Sequence, residues 1–136
     1  MIQQNLLTLP ALSKGSHLIT DQVLKALGKL PETGMLNVFI QHTSAALAIN
    51  ENADPTVRHD MDKAFDLLVP ENQPYFKHTV EGPDDMPAHI KAVLAGSSIT
   101  IPITAGKLAL GTWQGIYLME FRAAATPRKL VLTIYA

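Results

Sequence analysis

Residues 41–60, QHTSAALAINENADPTVRHD, decide how this chain folds. The apolar run 45–49 has the length and bounding signals of a buried strand. Asp54-Pro55 then reads as a helix start, a capping carboxylate followed by proline at the first helical position. Asn50-Glu51-Asn52 forms the bend between them. The same stretch concentrates His42, His59, Arg58, Glu51, Asp54, Asp60 and three hydroxyl side chains in a chain that is only 17% charged. Two readings stay open: part of a site, or a polar turn beside buried strands.

Working outward, Val57, Met61, Ala64, Phe65 and Leu68 recur at helical spacing, opposite Arg58, His59, Asp62, Lys63 and Asp66, and Pro70 ends that helix. Residues 71–84 follow as a polar loop of unusual length, bearing His78 and Glu81. A third helix is expected over residues 86–94, starting near Asp84 or Asp85 and stopped by Gly96. Upstream, residues 2–9 and 16–19 read as strands. Thr20 and Asp21 are expected to cap a short helix over Val23, Leu24 and Leu27. Residues 35–41 form a nearly all-apolar strand, expected to be covered on both faces. Downstream, residues 97–104 alternate Ile99, Ile101 and Ile103 with polar neighbours, a half-buried strand by period. Ala105-Gly106 marks a tight turn into residues 107–110, and residues 114–122 and 129–135 finish as strands. The expected fold is α+β: a single domain with a mostly antiparallel, β-sandwich or jelly-roll-like core and two or three inserted helices.

The 136 residues carry a net charge of −1, so no basic field exists to draw nucleic acid, and no apolar run reaches bilayer length. Cysteine is absent, which excludes disulfides, thiolate metal sites and thiol nucleophiles. The start, MIQQNLLTLPALSKG, lacks the pattern of a signal peptide, and a cytoplasmic location is expected.

Among five histidines, His42 ends a buried strand, and His89 stands four residues after Asp85 on one helix face, where a carboxylate fixes an imidazole tautomer. The same pair is equally an ordinary helix contact. His78 lies in the long loop; His59 falls on a solvated face, and His17 has no chemical neighbours. No consecutive metal motif is present, so a site from His42, His78 and His89 needs three separated elements. Glu51 has no evident structural task, whereas Asp54 has one as a cap. Arg58, Lys91 and Arg122 are the possible anion partners. Gly111-Thr112-Trp113-Gln114-Gly115 holds the single tryptophan, either a stacking wall for a flat heterocycle or a core residue beside a β-bulge.

QHTSAALAINENADP, HTVEGPDDMPAHIKAVLAGSSITIP and GKLALGTWQGIYLMEF together resemble the YjbQ-like proteins, also called the secondary thiamine-phosphate synthase family. The resemblance spans nearly the whole chain. It implies a homotrimer, and a transferase joining hydroxymethylpyrimidine diphosphate to thiazole phosphate with release of diphosphate. It implies catalytic roles for His42, Glu51, Asp85 and His89, and substrate contacts from Thr43, Ser44, Asn50, Thr112, Trp113 and Gln114. A divalent metal ion (Zn, Mg or Mn) is expected on His42, His78 and His89. The partner is then a phosphorylated heterocycle, with neither nucleic acid nor membrane involved. Two other functions fit the same pocket: a metal-dependent hydrolase or lyase with Glu51 as base, and a non-enzymatic trimeric protein that binds a small metabolite.

Overall fold

The computed structural model describes the whole chain, Met1–Ala136. Eight strands and three helices follow one another: β1 (Ile2–Leu9), β2 (Gly15–Leu18), α1 (Thr20–Leu27), β3 (Thr33–Ile40), β4 (Ala45–Glu51), α2 (Pro55–Leu68), α3 (Asp85–Ala95), β5 (Ser98–Thr104), β6 (Lys107–Leu108), β7 (Gln114–Glu120) and β8 (Arg128–Tyr135). The α+β expectation holds. Five strands form one sheet in the order β1-β8-β3-β5-β6, and three form a second, β2-β7-β4. Every pairing is antiparallel.

Period-two alternation builds the main core. Leu36, Val38 and Ile40 of β3, Ile101 and Ile103 of β5, and Leu130, Leu132 and Ile134 of β8 point inward from the larger sheet. They meet Ala45 and Leu47 of β4 and Ile116 and Leu118 of β7, while Ile19, Val23 and Leu27 bring α1 into the same cluster. Each large side chain so buried is worth about 1.5–3 kcal/mol. Strand β7 is buried on both faces, because Met119 turns away from this core into a smaller cluster with Ala46, Ala88 and Phe121. Helix α3 packs on β4 there. The smaller sheet is therefore a middle layer, between the larger sheet and helices α2 and α3.

Several local expectations change. Strand β3 is covered on one face only: Leu36, Val38 and Ile40 are buried, and Met35 and Phe39 are exposed. The uncovered face carries cross-strand apolar rows Ile2–Tyr135–Met35 and Leu6–Val131–Phe39, either side of a polar row Gln4–Thr133–Asn37. Thr20 does not cap α1; its Oγ1 instead accepts from the backbone N–H of Ile116 at 2.9 Å, stitching the helix start to β7. Ala105 and Gly106, both at positive φ (52° and 74°), make the expected two-residue hairpin between β5 and β6.

Helix α2 departs most from its pattern. Asp54 caps it as expected, accepting from Thr56 N at 2.9 Å. Yet Ala64 and Leu68 face solvent, and a polar stripe at 58, 62 and 66 turns inward beside Val57, Met61 and Phe65. Arg58 Nη1 donates to the Tyr117 hydroxyl at 3.3 Å, Asp62 accepts from Ser16 N and Oγ, and Asp66 accepts from Lys91 Nζ at 2.6 Å. The helix is moored by polar contacts, and none of its residues is fully buried.

Candidate metal centre

The residues of the loop 42–44 tie three elements together. His42 Nε2 accepts from the backbone N–H of Lys129 at 2.8 Å, which pins the loop to β8. The Thr43 carbonyl contacts His89 Nδ1 at 2.9 Å, which joins it to α3. Ser44 Oγ accepts from Arg128 Nη2 at 3.0 Å. Arg128 in turn makes a two-pronged pair with Glu120, Nε to Oε1 at 2.7 Å and Nη2 to Oε2 at 2.5 Å, and both residues are buried. His42 is held neutral: burial first, then the neighbouring Arg128 charge, lowers its pKa below the usual imidazole value, with Glu120 acting the other way.

Opposite this loop stands a carboxylate shared by two histidines. Asp85, at the first turn of α3, is 1% exposed. Its Oδ2 lies 2.6 Å from His78 Nε2 and 2.9 Å from His89 Nε2. Its Oδ1 accepts from Arg122 Nη1, whose Nε is 3.1 Å from Asp84 Oδ2. Burial works to raise the Asp85 pKa, but the contacts from His78, His89 and Arg122 outweigh it and hold the carboxyl below its usual range. Asp84 and Asp85 raise the pKa of Arg122 despite its burial. One ligand atom from each of His78, Asp85 and His89 lies within 4.8 Å of the others. His42 and His89 both line an open cavity of about 300 Å³, with Thr43 and Ser97 also on its wall.

The chain thus brings His42, Thr43, Ser44, His78, Asp85 and His89 to one end of β4. It does not bring the rest of the expected set with them. His42 stands outside the three-ligand cluster, with its Nε2 used by β8; Asp85 takes the third position. Asn50, Glu51, Thr112, Trp113 and Gln114 sit at the other end of the β4–β7 ladder, where Glu51 pairs with Gln114 and Ala45 with Glu120. Six residues of strand separate the two ends by ~20 Å. Glu51 has a structural task after all: its Oε2 accepts from the backbone N–H groups of Ala53 and Asp54 at 3.2 and 2.8 Å, turning the chain into α2. Gln114 Oε1 accepts from Gly111 N and closes the glycine turn, which Asn52 clamps through the carbonyls of Thr112 and Gln114. Trp113 is 63% exposed, so the core reading of it fails. Lys91 is buried against Asp66 and faces no anion site. His59 is exposed beside Asp60, and His17 contacts only the carbonyl of Ser13.

Sequence reasoning singled out His78, Asp85 and His89, and paired Asp85 with His89, but missed Arg122 as a partner of Asp85. Arg122 was visible only as a scattered basic residue, and Asp84 only as a possible helix start. Asp84-Asp85 gives no signal for the pair with Arg122, because carboxylates at the start of a helix are already favoured by its dipole.

Residues 5–136 match the family described as UPF0047 protein YjbQ-like. This chain belongs to the YjbQ family. UPF0047 protein YjbQ of Escherichia coli O157:H7 is 47% identical over 136 residues, covering 98% of each chain, and its counterpart from Salmonella typhimurium is 48% identical over the same span. Among solved structures, an uncharacterized conserved YjbQ-family protein from Clostridium acetobutylicum is 41% identical, with a TM-score of 0.81 over 99% of both chains. A conserved hypothetical protein from Thermus thermophilus gives 33% and 0.81, covering 93% of this chain and 96% of its own.

These findings overturn the expected thiamine-phosphate synthase activity. The YjbQ family matched here carries only its UPF0047 designation, a Sulfolobus solfataricus neighbour is described as YbjQ-like and of unknown function, and none of these descriptions includes that reaction. The geometry agrees. Glu51 and Trp113 do not reach the histidine cluster within one chain, and Lys91 is spent on Asp66.

Proposed function

We propose that the chain binds a divalent metal ion through His78, Asp85 and His89, and is a metal-dependent enzyme acting on a small polar molecule in the cavity that His42 and His89 line. The observation that carries this reading is the surroundings of His89. Its Nδ1 faces the Thr43 carbonyl and its Nε2 faces Asp85 Oδ2, both of them acceptors. A neutral imidazole has one N–H, so it satisfies one of these contacts and leaves a lone pair against an oxygen in the other. A positive charge on the Nε2 side, either a second ring proton or a metal ion, removes the conflict, with Nδ1–H donating to Thr43 as metal-bound histidines commonly do to a carbonyl. His78 Nε2 meets the same carboxylate oxygen, so the three donors converge on one point.

The donor set fits such an ion. Two imidazoles and a carboxylate suit zinc, manganese or ferrous iron better than magnesium, which prefers oxygen ligands. When bound, a divalent ion supplies Lewis-acid polarisation of an oxygen atom on the molecule beside it. The protein's own groups do the rest. Thr43 fixes the ring of His89, Arg122 fixes Asp85 through Oδ1 and leaves Oδ2 toward the histidines, and His42, neutral with Nε2 accepting from β8, keeps its proton on Nδ1.

Elemental analysis of protein purified without chelator or affinity histidines tests the site. The wild type is expected to carry about one ion per chain, and His89→Ala and Asp85→Asn variants that remain folded by circular dichroism to carry less than about a tenth of that. Folded variants with wild-type metal content overturn the site. Turnover on a panel of phosphate esters and lactones tests the enzyme: activity unchanged by stripping the metal defeats the metal-dependent reading.

A homotrimer belongs to the same proposal. Its support is the uncovered face of the larger sheet, with its two apolar rows, and the exposed Trp113. Sedimentation equilibrium decides it: a particle of one chain's mass at micromolar concentration is the contrary result.

A further inference from the structure

Beneath α2 lies a cavity of about 240 Å³ that the metal centre does not use. Its walls are mostly apolar, with Ala48, Met61, Phe65 and Met119 prominent among them. Helix α2 is moored over it by Arg58, Asp62 and Asp66, which bridge to Tyr117, Ser16 and Lys91, while Met61 and Phe65 are partly buried against the smaller core cluster.

One charged group on the wall has no ion-pair partner. Of the three arginines, Arg122 is paired with Asp84 and Asp85, and Arg128 with Glu120, whereas Arg58 has no carboxylate within 4.0 Å. Its one hydrogen bond is the long contact to the Tyr117 hydroxyl, and that hydroxyl already donates its proton to the Glu51 carbonyl at 2.5 Å. The carboxylates near it in sequence are committed elsewhere: Asp54 to Thr56, and Asp62 to Ser16. A guanidinium offers five donors in a flat fork, and those of Arg58 that do not reach Tyr117 are open to solvent at the edge of an apolar space.

We propose that this cavity is a second binding site, for a small amphipathic molecule with an apolar body and a single carboxylate. The body lies among Ala48, Met61, Phe65 and Met119, and the carboxylate takes the fork of Arg58. The volume falls just below the range of about 300–1,000 Å³ usual for drug-sized ligands, which suits a molecule on the order of ten non-hydrogen atoms. The apolar walls disfavour a sugar or a free phosphate, whose polar atoms would lose water without gaining partners. This proposal does not depend on the metal centre.

The five methionines supply the readout. Met61 and Met119 line the cavity, and Met35 lies on the outer face of the larger sheet. Metal-stripped protein with 13C-labelled methionine methyl groups is titrated with octanoate and, separately, with octan-1-ol. Octanoate is expected to shift the Met61 and Met119 signals and leave Met35 in place. Arg58→Gln is expected to weaken octanoate by at least about tenfold and to change octan-1-ol by less than about twofold, because it removes a charge-assisted bond and keeps the apolar walls. Ala48→Leu, which fills the space, is expected to abolish both shifts. Equal octanoate affinity in wild type and Arg58→Gln overturns the proposal, as does a Met35 shift as large as that of Met61, or no Met61 or Met119 shift at about 10 mM ligand. Should Ala48→Leu fail to fold, the Arg58→Gln comparison decides alone.

Discussion

At the scale of single residues, Asp85 and His42 have opposite kinds of neighbour and so respond differently to acid. Asp85 is ionised among donors. Its folded pKa lies below its unfolded value of 3.8, so its contribution is complete above that pH and is lost as pH falls through the folded pKa. Asp85→Asn is expected to cost about 2 kcal/mol in urea denaturation at pH 7, since a carboxylate that serves charged donors becomes a neutral amide. His42 is a neutral ring whose folded pKa is also depressed, below 6.5. The unfolded chain therefore takes up this proton first, and stability declines as pH drops below about 6.5. His42→Asn is expected to flatten the stability-versus-pH curve over that upper window while leaving the Asp85 limb below it intact. A curve unchanged by His42→Asn contradicts the neutral-ring assignment.

At the scale of elements, α2 shows where sequence reasoning runs out. Its apolar residues at 57, 61, 64, 65 and 68 suggested one face, but a hydrophobic pattern does not reveal which polar side chains will find partners on distant strands. Asp62 finds Ser16 and Asp66 finds Lys91, and these partners rotate the helix so that Leu68 is left outside. Asp62→Ala is thus expected to cost about 2 kcal/mol by thermal or urea denaturation, through its two bonds to Ser16. Leu68→Ser is expected to stay within about 0.5 kcal/mol of wild type. The reverse order restores the original face. Strands were legible: β1, β5 and β8 lie within a residue of their expected bounds, β5 by its alternation, and the Ala105-Gly106 turn follows from the glycine, with both residues at positive φ. Of the candidate site, the Asp85–His89 spacing and the loop histidine were legible because they are local. Arg122 was not, since nothing near position 122 announces a carboxylate pair 37 residues away. Glu51 misled because the N–H groups it accepts from, those of Ala53 and Asp54, lie before the helix, where no capping pattern marks them.

At the scale of the whole molecule, one buried ion pair spans the two sheets. Glu120 ends β7 in the smaller sheet and Arg128 begins β8 in the larger one, with Ser44 completing the cradle. Removing either charge alone strands the other, so Arg128→Met is expected to destabilise by about 3–5 kcal/mol. Glu120→Leu combined with Arg128→Met is expected to recover most of that loss, because the pair's mutual attraction is largely offset by its lost hydration. A double-mutant cycle in urea measures it, and a double variant no better than the single one contradicts this account.

Strand β8 lies between β1 and β3, so the larger sheet is built around the last of its own strands to be made. During synthesis β1 has no neighbour until Ile2 can meet Tyr135, 133 residues later. A pairing so distant in sequence forms slowly, because the loop must close before any contact rewards it. The nascent chain thus leaves the ribosome with Ile2 and Leu6 on a strand that has no partner, and with β3 able to pair with β5 along one edge only. Such an edge invites mispairing with other chains. Residues of β1 and β3 are therefore the first that a ribosome-associated chaperone has reason to cover, and β8 is the segment whose arrival releases them.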